Sequence, residues 1–223
     1  EPAIRWKPEE GARIGVLPRG GDGRDTTWID VDPFYVFHFM NAFVRDGLIV
    51  VDGCRASAMP TSFGVDPVPE QGVRPYLWQW EIDPAAGTVT DRQLDDRTGD
   101  FPRINDAAHG KPYRFGYHAH TSSWNQVEGV WFDGVIQFDH ATGGSAEFVL
   151  EEGSVMGEVA FAADPGGSAE NDGWLVAFAS DLARETSEFL VIDARDVASG
   201  PVARVELPRR VPFGFHGNWM PTT

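Results

Sequence analysis

Residues 77–94 read LWQWEIDPAAGTVTDRQL: an apolar aromatic run, an acid at Asp83, a turn containing Gly87, and a second β-rich run. The same order returns at 134–150, GVIQFDHATGGSAEFVL, with Asp139 as the acid, and at 189–207, FLVIDARDVASGPVARVEL, with Asp193. An Asp ending a strand accepts hydrogen bonds from backbone N–H groups two residues on, and a Gly supplies the positive φ that closes the turn. Each copy therefore predicts a β-hairpin. The three acids stand 56 and 54 residues apart, close to one four-stranded propeller blade of roughly 40–50 residues plus loops. Four such units would account for the chain as consecutive propeller blades, with a β-sandwich of coincident hairpins as the alternative.

The rest of the chain agrees with an all-β class. Short β-branched and aromatic runs dominate: RIGVLPR, YVFHFMNAFV, LIVVDGC, YRFGYHAH and GWLVAFAS are examples. Gly and Pro, 25 and 16 residues, interrupt almost every window that might carry a helical apolar stripe. Only RINDAAHG and ARDVASG read as short helices or turns.

Composition narrows the function. With 42% hydrophobic residues, 8 Trp and 15 Phe, the chain has the makings of a sizeable core. A formal charge of −16 opposes nucleic acid and anionic membrane as partners, because phosphate binding needs clustered Lys and Arg. The lone cysteine, Cys54, reads as a structural thiol at a strand end and fits a reducing compartment, the cytoplasm. No apolar run reaches the length of a membrane-spanning helix. The opening at Glu1, without Met, reads as part of a longer polypeptide. G-x-S-x-G, P-loop, G-x-G-x-x-G, C-x-x-C and H-E-x-x-H patterns do not occur.

Histidines carry the remaining signal. His38, in VFHFMNAF, and His216, in RRVPFGFHGNWMP, each follow a Phe in an apolar stretch that reads as a strand. Neutral imidazole binds iron, zinc or copper, and strands converging on a propeller axis bring such side chains to one point. Taken singly, each is more ordinary as a core histidine bonded to backbone. His118 and His120, two apart in YHAH, share one face of a strand and read as solvent-facing or structural. His109 and His140 sit in turn-like contexts and are expected to be exposed.

Four stretches, in this order and spacing, carry a resemblance: WIDVDPFYVFHFMNAF, DFPRINDAAHGKPYRFGY, MGEVAFAADPGGSAENDGWLVAF and VARVELPRRVPFGFHGNWMP. Together they resemble the second half of the carotenoid cleavage oxygenases, which include apocarotenoid and lignostilbene dioxygenases. The likeness runs over nearly the whole chain. It implies a seven-bladed β-propeller of which residues 1–223 form the C-terminal part, with an N-terminal part lying before residue 1. It also implies a non-haem Fe(II) on the axis, held by four histidines.

By that resemblance His38 and His216 match the third and fourth ligands, and the first two belong to the N-terminal part. Glu158 matches a glutamate that orients His216. Asp100 stands where the family usually has Glu, one methylene longer, so its bond to His38 requires a closer backbone or a bridging water. Val44 and Arg45 replace acids that tend to follow the NAF box, a peripheral change. Phe101, Phe161 and Phe213, beside the metal motifs, are expected in the wall of an apolar substrate tunnel. The implied activity is O2-dependent cleavage of a conjugated C=C bond in a carotenoid, apocarotenoid or stilbene-like substrate, giving carbonyl products. Two alternatives stand beside it: a catalytically incomplete fragment that needs a second chain, and a binding propeller whose His38 and His216 are core residues. An open propeller leaves strand edges unpaired, so the isolated chain is expected to associate.

Overall fold

The computed structural model describes residues 6–59, 73–122 and 132–221. All its sheets are antiparallel. A two-stranded ribbon, β1 (Ala12–Val16) and β2 (Thr27–Val31), comes first. The first four-stranded sheet follows in simple sequential order: β3 (Tyr35–Arg45), β4 (Leu48–Ala56), β5 (Tyr76–Asp83) and β6 (Thr88–Gln93). The second repeats that order with β7 (Gly99–Arg103), β8 (Phe115–His120), β9 (Gly134–Asp139) and β10 (Gly144–Val149). In the third, β11 (Ser154–Met156) and β12 (Ala160–Ala163) both pair with β13 (Gly173–Asp181), which continues to β14 (Thr186–Asp193) and β15 (Pro201–Glu206). Among the described residues there are thus three full blades and a ribbon, where the repeat predicted four equal units. The repeat signal is confined to 77–207, and in the ribbon no acid ends the first strand, β1 stopping at Val16.

The three repeated stretches are the outer hairpins of the three blades: β5–β6, β9–β10 and β14–β15. Their turns share one chemistry. Asp83, Asp139 and Asp193 each accept, through Oδ1, the backbone N–H two residues on, from Ala85, Ala141 and Arg195. Gly87, Gly143 and Gly200 take φ of 67°, 71° and 75°, a region that L side chains rarely enter. RINDAAHG and ARDVASG contain single 3₁₀ turns, Asp106–Ala108 and Val197–Ser199.

The core lies in the seams between sheets. Met40 and Leu77 of the first blade meet Ile104 and Phe138 of the second. Tyr117 and Val135 of the second meet Leu175, Leu190 and Ile192 of the third. Polar links cross the same seams: Tyr113 Oη donates to Asp52 Oδ2 at 2.7 Å, and Glu170 accepts the backbone N–H groups of Arg114 and Phe115. Cys54 is buried within β4, and burial pushes its thiol well up.

Each blade begins with an irregular strand. On β3, three residue steps from Val36 to Phe39 face two on β4, and two steps from Phe39 to Asn41 face one. On β7, three steps from Asp100 to Arg103 face two on β8. Between β11 and β12, four steps from Met156 to Ala160 face three on β13. An extra residue of this kind bends a strand and redirects its side chains. The bulges fall at His38, at Asp100 and Phe101, and at Glu158.

Candidate metal centre

His38 lies between the two irregularities of β3, with its side chain 28% exposed. Its Nδ1 is 2.9 Å from Oδ1 of Asp100, a carboxylate of the second blade. The bond is direct, so the shorter acid needs no bridging water. The closer approach comes from the β7 bulge, where Phe101 takes φ 54° and its own N–H donates to Asp100 Oδ1 at 2.7 Å. Asp100 is buried, and burial raises its carboxyl pKa against the hydrogen bond and charge of His38.

His216 arrives from the other end of the chain. Contrary to the sequence expectation, 207–221 form no strand, and the His216 side chain is 57% exposed. Pro208, Pro212 and Pro221 remove donors from this stretch, which makes a regular ladder costly. Side-chain tethers hold it instead. His216 Nδ1 lies 3.3 and 3.4 Å from the two carboxylate oxygens of Glu158, and the Gly217 N–H donates to Glu158 Oε2 at 2.9 Å.

The two imidazoles meet edge to face, with ring centroids 4.9 Å apart. Phe101 packs against both, 4.9 Å from His38 and 5.3 Å from His216, and Phe132 backs it at 5.2 Å. With each Nδ1–H turned to a carboxylate, each ring keeps its Nε2 lone pair for another partner. Two such nitrogens beside an apolar ring suit a borderline metal such as Fe(II). Among the described residues no group of three or more His, Cys, Asp or Glu side chains is assembled for a metal, so His38 and His216 stand as a pair.

The other candidates separate. Phe161 points into the seam between the second and third blades and stacks on Tyr117 at 5.8 Å. That makes it a core residue, because β12 turns its odd position toward the seam while Ala160 and Ala162 take the other face. Phe213 lies exposed on the C-terminal stretch, under the Arg210 guanidinium at 4.7 Å. His118 and His120 do share a face, and both are buried. His120 Nδ1 bonds the Thr98 carbonyl at 2.9 Å, whereas both ring nitrogens of His118 lack a partner among the described residues. Burial lowers the His118 pKa to about 4.

His109 is exposed as expected. His140 is not: its ring folds back from the turn between Tyr113 at 4.5 Å and Phe138 at 5.0 Å, and burial lowers its pKa. The backbone of Gly116 opposite leaves room for this ring beside Met40.

Sequence reasoning missed Arg103, whose Nε donates to Glu158 Oε1 at 2.9 Å and whose Nη2 donates to the Gly217 carbonyl at 2.6 Å. A basic residue three places after Asp100 was the only signal.

Comparison with known proteins gives the chain a family. The model of the family described as retinal pigment epithelial membrane protein matches residues 1–221. The chain belongs to that family. Its members include the carotenoid cleavage oxygenases of the resemblance noted above. Within the family, the carotenoid cleavage oxygenase of Mycobacterium tuberculosis (strain CDC 1551 / Oshkosh) is 38% identical over 231 residues, covering 98% of this chain and 44% of that protein. The apocarotenoid-15,15'-oxygenase of a Synechocystis species is 31% identical over 234 residues, covering 98% and 45%. The crystal structure of cobalt-substituted Synechocystis ACO superposes with a TM-score of 0.86 at 28% identity, over 97% of this chain and 45% of that one. The chain thus spans less than half the length of these relatives. The three blades and the ribbon correspond to part of the family's seven-bladed propeller.

Proposed function

We propose that residues 1–223 are the C-terminal part of a single-domain propeller oxygenase that cleaves a conjugated C=C bond of a carotenoid, apocarotenoid or stilbene-like substrate with O2. The observation that carries this is the pairing of His38 and His216, rings 4.9 Å apart, each with Nδ1 on a carboxylate of another segment. His38 and His216 would hold a non-haem Fe(II) together with two histidines from an N-terminal part. The iron, when bound, supplies the redox chemistry with O2 that no protein side chain provides.

The chain's own residues do the rest. Asp100 and Glu158 fix the tautomer and direction of the two rings and offset the charge of a divalent ion held by neutral ligands. Phe101, backed by Phe132, gives the imidazoles an apolar neighbour that offers a flat surface to an alkene. Carbonyl products follow from such a cleavage. Because the chain offers two imidazoles, it is catalytically incomplete by itself on this reading. Cytoplasmic residence is part of the same proposal, since the buried Cys54 thiol stays reduced there.

The test is native mass spectrometry of this chain assembled with a segment supplying two strand-borne histidines. One iron per complex, lost when His38 and His216 are both changed to Ala, is the expected result. A folded complex without iron, or iron kept by the double variant, would overturn the proposal.

A further inference from the structure

We infer that Arg103 is a positioning residue that fastens the His216 segment to Glu158 and so sets the tautomer and direction of the His216 ring. Its purpose rests on the metal-centre reading above; its geometry does not.

The C-terminal stretch makes no strand, yet one of its residues must be held to a fraction of an ångström if its ring is to face His38. Three hydrogen bonds form a closed loop that does this. Arg103 Nε donates to Glu158 Oε1 at 2.9 Å, Arg103 Nη2 donates to the Gly217 carbonyl at 2.6 Å, and the Gly217 N–H donates to Glu158 Oε2 at 2.9 Å. Both backbone polar groups of Gly217 are thus taken up by one ion pair. The Glu158 side chain is 5% exposed, so its charge is kept in place by a partner rather than by water.

The loop also joins two blades. Arg103 ends β7, beyond the bulge that places Asp100 and Phe101, while Glu158 fills the break between β11 and β12. The strand that orients His38 through Asp100 therefore also orients His216 through Arg103. A planar guanidinium can serve the carboxylate and the carbonyl from two separate nitrogens in fixed directions, which the single nitrogen of Lys cannot.

The experiment is ¹⁵N NMR of the metal-free chain at mildly alkaline pH, comparing wild type with Arg103→Gln and Arg103→Lys. Two readouts apply: the tautomer of the His216 ring and the exchange rate of the Gly217 amide. In wild type, one tautomer with the proton on Nδ1 and a protected Gly217 amide are expected. In Arg103→Gln, the ring is expected to become a mixture of tautomers and the Gly217 amide to exchange about tenfold faster or more, since a charge-assisted network is lost. Arg103→Lys keeps the charge and should rescue only partly.

Unchanged tautomer and exchange in a folded Arg103→Gln variant would overturn the inference. Full rescue by Lys would also overturn it, by reducing Arg103 to a point charge. If Arg103→Gln does not fold, Arg103→Lys decides alone. Since no metal is present, failure of the iron proposal leaves this result standing, and the reverse also holds.

Discussion

Asp100 Oδ1 stands 2.9 Å from His38 Nδ1, so a carboxylate of the second blade aims an imidazole of the first. The contact crosses a seam between two sheets and depends on bulges in both partner strands. On the proposed function, Asp100→Ala should lower the cobalt affinity of the assembled protein about 10- to 100-fold, the usual effect of losing a carboxylate behind a metal-binding histidine. Competition with a chelator measures it, and an affinity equal to wild type would remove Asp100 from the centre. Asp100→Glu keeps the carboxylate but must fit one extra methylene, so an intermediate loss is expected.

Phe101 combines a backbone at φ 54° with a ring set against both imidazoles. Replacing it by Gly or by Ala removes the same ring contacts, but only Gly accepts that φ freely. Phe101→Gly should therefore be more stable than Phe101→Ala by about 1 kcal/mol in urea unfolding. Equal stabilities would mean that the bulge relaxes when the ring is gone.

The interior predicts a contrast between two glycines. A Cβ at Gly134 would fall on the carbonyl oxygen of Phe148 in the paired strand, whereas a Cβ at Gly116 would meet the side-chain sulfur of Met40. Backbone cannot move without breaking the ladder, and a methionine can change rotamer. Gly134→Ala should cost about 1–3 kcal/mol, and Gly116→Ala distinctly less. Midpoints of urea melts compare the two directly.

His118 makes the fold sensitive to acid. Its pKa in the folded chain is about 4, against an ordinary 6.5, because burial disfavours the imidazolium; Asp95 pulls the value up, while Arg97 and His120 push it down. A depressed folded pKa means that the unfolded chain binds the extra proton first as pH falls. The stabilisation is complete above 6.5 and is lost as pH drops toward 4, by roughly 3 kcal/mol at the lower end. His118→Leu should remove this part of the slope, because an apolar side chain leaves no unpartnered nitrogen to protonate. Unfolding free energies across that range test it, and an unchanged slope would assign the acid sensitivity to other groups.

Apolar side chains on the C-terminal stretch stand in the open, with Phe215 76% and Met220 78% exposed. The isolated chain should therefore associate, and sedimentation should give a mass above 24.5 kDa. Phe215→Ser with Met220→Ser should shift the distribution toward monomer. A wild-type chain that stays monodisperse at 24.5 kDa would contradict this.

The outer hairpins were legible in residues 77–207 because their information is local: an Asp, a Gly and two alternating runs fix a turn and a register within a dozen positions. The runs ending at Asp83 and Asp139 stop where β5 and β9 stop for the same reason. The first strand of the first blade, β3, was legible as YVFHFMNAFV, but those of the second and third blades were not. β7 holds Pro102 within five residues, and β11 and β12 hold three and four residues, too few to show a period of two. These strands carry Asp100 and Phe101 and flank Glu158. His38 and His216 could be singled out from sequence, but their approach to 4.9 Å could not, since it depends on three sheets stacking through their seams and on bulges that no short window encodes. Sequence by itself therefore determined the all-β class, the blade length and the candidate imidazoles. Only the tertiary structure decided which carboxylates face those imidazoles, that Phe161 is core, that His140 is sheltered and that Arg103 ties the chain's end to Glu158, because long-range contacts depend on how whole sheets pack.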